Sequence, residues 1–213
     1  MKMTVTLGRQ LGCGGSYLGQ CVADALGIRC LDREIVSRAA QNLQADETAM
    51  RDREERGESF WERMLRGITL SPSEALYQAP VPLSVTDQDL LAAETKIMQE
   101  IASEEDVVIV GRLAAYVLPR YPGTVNILLH APDRFRIQRL IQNGAAAAEA
   151  DAKTLITRSD ETRRQYIKQM IGREEYDARA YHLSLDTSLL PLPDIAALLT
   201  DFVRRRIAEL EEH

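Results

Sequence analysis

Cysteine is scarce and clustered: the chain has three in 213 residues, Cys13, Cys21 and Cys30, all at its N-terminal end. An odd number with no metal-ligand spacing argues against a disulfide framework or a zinc site, and for reduced thiols in a cytosolic protein. Histidine is equally thin. His130 and His182 have no cysteine or histidine partner at metal spacing and read as structural or surface residues. No apolar run approaches membrane-spanning length, and the N-terminus lacks a long apolar core with a cleavage site. The expectation is a cytoplasmic protein with no membrane contact. Excess positive charge is also missing. A net charge of −6 argues against a general nucleic-acid binder, although a local basic cluster could still meet phosphate. There are no internal repeats. What remains, 45% hydrophobic and 27% charged residues, is ordinary globular composition, and the length suits one domain, with room for an inserted lobe.

The informative stretch is MTVTLGRQLGCGGSYL, Met3 to Leu18. Thr4–Leu7 reads as a short buried strand, since β-branched and apolar residues run together up to Gly8. Gly12, Gly14 and Gly15 then lead into Ser16 and an apolar helical pattern through Leu18, Val22 and Leu26. Strand, glycine loop and helix start together favour a bound phosphate, because backbone amides turn inward without a Cβ clash and the helix dipole adds positive charge. The alternative is a tight strand-to-helix connection with no ligand. In the pattern G-x-x-x-x-G-K-[ST], Gly14 takes the second glycine and Ser16 the hydroxyl. Gly15 then stands at the lysine position and Arg9 at the first glycine.

Further along, Ile28–Leu31 reads as a second strand closing on Asp32, and Asp32–Leu43 as a helix. Acids and arginines alternate from Ala45 to Gly57, and Pro72, Pro80 and Pro82 mark a loop before a long helix over Asp87–Ser103. VVIVG (Val107–Gly111) fits a parallel strand covered on both faces. A short helix over Leu113–Leu118 and a strand over Val125–Leu129 follow. Pro132 opens a helix, Gly144–Asp151 forms a linker, and a polar helix spans about Ala152–Met170. Tyr181–Leu185 reads as the last strand and Ile195–Leu210 as a closing helix. Strands separated by helices predict an α/β fold with a doubly wound, mostly parallel sheet of five strands flanked by helices. Ligands in such sheets sit at the carboxyl ends of the strands, which draws in Asp32, Arg112 and His130. An arginine directly after a buried strand, as Arg112 is, seldom serves packing alone.

The string TLGRQLGCGGSYLG…LGIRCLDREIV…VVIVGRLAAYVL…RRQYIKQMIG…YHLSLDTS resembles the cytidylate kinase-like family, relatives of the nucleoside monophosphate kinases, over nearly the whole chain. The resemblance implies a P-loop kinase fold, ATP with Mg²⁺ as cofactors, and a nucleoside monophosphate such as CMP or dCMP as acceptor. It also implies helical acceptor-binding and lid regions, here residues 45–86 and 143–175 of a single 1–213 domain. The family's glycine loop resembles Gly12–Ser16, which implies that Gly12, Cys13, Gly14, Gly15 and Ser16 hold ATP phosphates. It too lacks the lysine of true cytidylate kinases. Leu31–Arg38 is similar to the L-D-S-G-A-I-Y-R stretch of cytidylate kinases and makes Arg38 the match for the arginine that holds the acceptor phosphate. Gly111-Arg112 resembles the D-G-R motif, with Val110 in place of the aspartate, and assigns Arg112 to the acceptor. Arg158, Asp160, Arg163 and Arg164, with Arg173 beyond, are similar to the arginine-rich lid that closes over ATP phosphates.

In the resulting constellation Ser16 approaches the metal, and Asp32, at a strand end beside the loop, is placed either to hold a Mg²⁺-bound water or to orient the acceptor. Arg9, from its loop position alone, is the candidate to replace the lysine in part. Arg163 and Arg164 close over the transferring group, and Arg158 assists at the ATP phosphates. Each has a plainer alternative: a surface arginine for Arg38, a helix N-cap for Asp32, an exposed helix with scattered salt bridges for the lid arginines. Cys13 is more simply a small filler than a redox thiol. Asp177 is placed near the last strand, within reach of a base or a lid arginine. Two other functions compete: a nucleotide-binding or regulatory protein on the same fold with weak or no catalysis, and a kinase for another small molecule. A homodimer is compatible with the sequence.

Overall fold

In the computed structural model the described residues are 2–32, 87–111, 113–118 and 123–212. The expected helix after Asp32, the 45–86 insertion, Arg38 and Arg112 lie outside them. The strands are β1 (Thr4–Arg9), β2 (Arg29–Asp32), β3 (Val107–Val110), β4 (Thr124–His130) and β5 (Leu183–Asp186). The helices are α1 (Gly15–Leu26), α2 (Asp87–Glu104), α3 (Ala114–Val117), α4 (Asp133–Gln142), α5 (Glu149–Ile171) and α6 (Leu192–Glu211), with one 3-10 turn at Ala178–Ala180.

The strands form one parallel sheet in the order β2-β3-β1-β4-β5. β3 shows why the apolar run has no alternation. Val108 and Val110 pack with Val5, Leu7, Ile127 and the faces of α1 and α6, including Leu18, Val22, Ile195 and Leu199. Val107 and Ile109 point the other way, onto Ile97, Met98 and Ile101 of α2. Both faces are covered, so both side-chain sets must be apolar. Polar residues interrupt the pattern in β1 and β4, and one pair is hydrogen-bonded: Thr6 Oγ1 donates to Asn126 Oδ1 at 2.7 Å, and Asn126 Nδ2 donates to the Ala180 carbonyl at 3.3 Å.

Several boundaries move, among them β2 (Arg29–Asp32), β5 (Leu183–Asp186) and α6 (Leu192–Glu211), and three others show their cause. β1 runs past Gly8 to Arg9, because Gly8 and Arg9 pair with Leu128 and Leu129 of β4. Gly8 suits that place because a Cβ there would lie 3.1 Å from the Tyr181 ring. Pro132 sits at the N-cap in an extended conformation, so α4 begins only at Asp133. The linker before α5 is shorter than expected, since Glu149 and Asp151 are already in its first turn, where acids complement the helix dipole.

The junction of α1 with the sheet rests on Gly19. A Cβ there would come within 2.3 Å of Val110 Cγ2. Gly19→Ala should therefore lower stability by roughly 1–3 kcal/mol despite the better helix propensity of alanine. Urea denaturation checks this, and an unchanged midpoint would show that Val110 can step aside.

Candidate active site

The glycine loop lies between the carboxyl end of β1 and the start of α1, the position that parallel α/β sheets use for ligands. Gly12 and Gly14 have φ of 82° and 86°, in the left-handed region that favours glycine. At Gly12 space forbids a side chain as well: a Cβ would sit 2.9 Å from the Arg136 carbonyl oxygen and 3.1 Å from its Cα.

Loop carbonyls are held from outside the loop. Thr187 Oγ1 donates to the Cys13 carbonyl at 2.7 Å, Arg136 Nε to the Leu11 carbonyl at 2.7 Å, and Arg163 Nη1 to the Arg9 carbonyl at 3.0 Å. The Gln10 side chain ties the loop to its surroundings, accepting from the Ala131 N–H at 3.1 Å and donating to Tyr176 Oη at 2.7 Å. The Cys13 N–H donates to the Gln10 carbonyl at 3.4 Å, which turns that amide back into the loop.

Beside the loop the structure brings Arg9, Asp32 and Ser16 together. Arg9 Nη2 donates to both Asp32 carboxylate oxygens, at 3.0 and 3.1 Å, and Ser16 Oγ donates to Asp32 Oδ2 at 2.7 Å. Both members of the ion pair keep about a fifth to a quarter of their side-chain surface open. The cluster therefore presents a cation, a carboxylate and a hydroxyl to solvent at the mouth of the loop. The Arg9 stem also explains Gly15, because a Cβ at position 15 would lie 2.4 Å from Arg9 Cδ and 2.7 Å from Arg9 Cβ. Arginine at 9 and a side chain at 15 compete for one volume. A hydroxyl and a carboxylate are the hard oxygen donors that Mg²⁺ prefers alongside substrate phosphates and water, so Ser16 and Asp32 fit that ion.

The lid arginines part company. Arg164 and Arg158 are exposed on α5, and Arg164 lines a cleft of about 1020 Å³ with Gly172, Arg173, Tyr176, Asp177 and Arg179. Arg163, expected to close over the transferring group, instead is buried. Its guanidinium pairs with Asp160 and lies 2.8 Å from Glu175 Oε1. Arg136, which sequence reasoning passed over as one of several arginines on a helix, is buried too and grips Asp160 through two bonds of 2.8 and 2.9 Å. No sequence signal separated it from exposed Arg134. Asp177 caps the 3-10 turn, accepting from the Arg179 N–H at 3.1 Å and from its guanidinium, and those bonds hold its carboxyl below the usual range.

Cys13 is a filler. Its thiol is fully buried, donates to the Leu129 carbonyl at 3.7 Å, and is pushed up by desolvation, only partly offset by nearby Arg9. Burial, with Asp32 and Asp24 adding to it, raises Cys30 from 9.0 to about 12. Both shifts favour the neutral thiol in the folded state. The contribution to stability is thus complete below pH 9 and declines as pH rises, for Cys30 toward about 12. Native protein at pH 8 should leave Cys13 unlabelled by a thiol reagent until denaturant is added; mass mapping of early Cys13 labelling would contradict this burial.

A parallel sheet in this order, with a glycine turn between the first strand and first helix, defines a P-loop kinase fold. The chain belongs to the cytidylate kinase-like family, whose model matches residues 4–189. A cytidylate kinase of Aeropyrum pernix is 31% identical over 108 residues, a match spanning 50% of this chain and 61% of that protein. Among solved structures, an uncharacterised protein from Eubacterium ventriosum superposes with a TM-score of 0.67 at 15% identity, covering 95% of this chain and 99% of that one. Shikimate kinase from Bacteroides thetaiotaomicron gives 0.51 at 14% identity, over 95% and 98%. At such identities the two structures speak for the fold alone. No helix among the described residues is long and apolar enough to cross a membrane.

Proposed function

We propose that the protein transfers the γ-phosphate of ATP to a nucleoside monophosphate, with CMP and dCMP the acceptors to test first. The observation that carries this reading is the Arg9–Asp32–Ser16 cluster beside a loop whose φ angles and close packing demand glycine. The family and the Aeropyrum pernix relative, itself named a cytidylate kinase, support the choice of acceptor.

In this reading amides of Gly12, Gly14, Gly15 and Ser16 receive the ATP phosphates, and Arg9 supplies the charge that a loop lysine would bring. Bound Mg²⁺ would neutralise phosphate charge, with Ser16 and Asp32 holding it. Arg164 and Arg158, exposed on α5, are the lid cations free to approach the nucleotide, while Arg38 and Arg112 would hold the acceptor phosphate. The Arg164-lined cleft is joined to the loop through Tyr176 and Gln10 and offers room for one of the substrates. The transferring group spreads negative charge over its equatorial oxygens, so positioned cations are the main chemical requirement.

ADP formation with ATP, Mg²⁺ and a panel of monophosphates tests the proposal. Asp32→Asn should lower kcat roughly a hundredfold, the scale expected for losing one positioned electrostatic group. Wild-type turnover no faster than that of a Gly12/Gly14-substituted control would end the kinase reading. A second reading, nucleotide binding without transfer, is favoured by one observation: the lysine position holds Gly15 and the substitute cation, Arg9, is already paired to Asp32. Calorimetry separates the two, since tight ATP binding without turnover belongs to the second. An alcohol acceptor is recognised by an Arg38→Ala variant that retains acceptor affinity.

A further inference from the structure

Two arginines, one aspartate and one glutamate form a balanced charge network behind the glycine loop. Arg136 on α4 and Arg163 on α5 each keep only 2% of their side-chain surface, Asp160 18% and Glu175 4%. Burying guanidiniums this far is costly unless every donor has work. The phosphate-closing role expected of Arg163 does not account for this network, because both guanidiniums are engaged by carboxylates and loop carbonyls. Both reach the loop's carbonyls. Arg136 Nε meets the Leu11 carbonyl at 2.7 Å, and Arg163 Nη1 meets the Arg9 carbonyl at 3.0 Å. Asp160 accepts from both guanidiniums and fixes their orientation.

We propose that Arg136 and Arg163 are positioning residues that hold the Leu11 and Arg9 carbonyls on the protein side, so that the Gly12 N–H is aimed at a bound phosphate. This rests on the phosphotransferase reading of the same loop. A trans peptide carries its N–H and C=O on opposite sides. Fixing the Leu11 oxygen toward α4 therefore points the Gly12 N–H away from α4. The same act removes a repulsive oxygen from any anion on the loop. The Arg9 peptide is pinned at both ends, with its carbonyl on Arg163 and the following Gln10 N–H on the Leu129 carbonyl at 3.1 Å. That peptide is the root from which the loop departs. The bare backbone of Gly12 lets α4 come close enough for this contact, since any Cβ would strike the Arg136 backbone.

The division of labour accounts for the different burial of neighbours Arg163 and Arg164. One holds the loop from behind, and the other stays exposed on the lid surface.

Arg136→Lys and Arg163→Lys keep the charge opposite Asp160 and lose the planar fork that also serves a carbonyl. Mg·ATP affinity by calorimetry should fall roughly tenfold or more in either variant, the loss expected of a misdirected hydrogen-bond donor. Thermal unfolding would confirm a cooperative fold, and the Gly12 amide resonance, shifted by ATP in the wild type, should shift less in the variant. A cooperatively folded lysine variant with wild-type affinity and a wild-type Gly12 shift overturns the proposal. If both variants unfold, the wild type decides: a Gly12 amide unmoved at saturating Mg·ATP overturns it, and a clear shift upholds it. A wild-type protein that binds no Mg·ATP refutes the phosphotransferase reading itself, and does so before any variant is made.

Discussion

Replacing Asp160 by alanine should cost roughly 3–5 kcal/mol of folding stability, the scale for removing one partner from a buried ion network. Asp160 accepts two bonds from Arg136 and pairs with Arg163. Without it, Arg136 keeps, among the described residues, the Leu11 carbonyl and exposed Asp133, whose carboxylate lies 3.3 Å away. Arg163 keeps Glu175 and the Arg9 carbonyl. The loss should therefore fall mainly on the Arg136 side, where α4 rests on the glycine loop. Urea denaturation provides the measure, and a change within about 1 kcal/mol would mean that water or relaxation satisfies Arg136. Asp160→Asn, which keeps an acceptor oxygen, should lie between wild type and alanine.

The second large effect concerns the missing lysine. Writing it back as Gly15→Lys should not create a better kinase. The new Cβ would fall 2.4 Å from Arg9 Cδ and 2.7 Å from Arg9 Cβ, and the second contact lies too near the backbone to be relieved by a rotamer change alone. Overpacking of this kind costs roughly 1–3 kcal/mol, more than the gain of about 1 kcal/mol from replacing glycine in a helix. Displacing Arg9 also breaks its two bonds to Asp32 and leaves Ser16 as the remaining donor on that carboxylate. Gly15→Lys should thus melt earlier and bind ATP more weakly than wild type. Adding Arg9→Gly removes both contacting atoms, and the double variant should regain stability and bind ATP roughly tenfold or more tighter than Gly15→Lys. Equal or weaker binding by the double variant would show that Arg9 and a lysine at 15 are not alternatives.

Gly15 shows how much of the site could be read from the chain. Its place in the phosphate-loop pattern was legible, because the spacing from Gly14 to Ser16 is purely local. That Arg9 lies over it was not, since β1 continues through Gly8 and sends the Arg9 stem across the first turn of α1. The same limit governs the lid. Arg163 and Arg164 are adjacent and chemically identical in the sequence, and a polar helix of 23 residues gives little periodic signal by which to choose between them. Their fates are decided by Asp160 and Glu175 on one side and solvent on the other. Arg136 was harder still, because its burial depends on α4 and α5 packing together around Leu140, Ala152 and Ile156.

What the sequence determined by itself is the order of elements and the position of the glycine loop. Both follow from short-range causes: uninterrupted β-branched and apolar runs, helical periodicity, and glycines where φ must be positive. Family membership belongs there too, as several loose motifs occur in the right order. Only the tertiary structure decided which charges face a ligand and which hold the loop from behind. Burying a guanidinium requires partners gathered from distant segments, and Arg136 finds them 24 residues ahead at Asp160 and 125 residues back at Leu11.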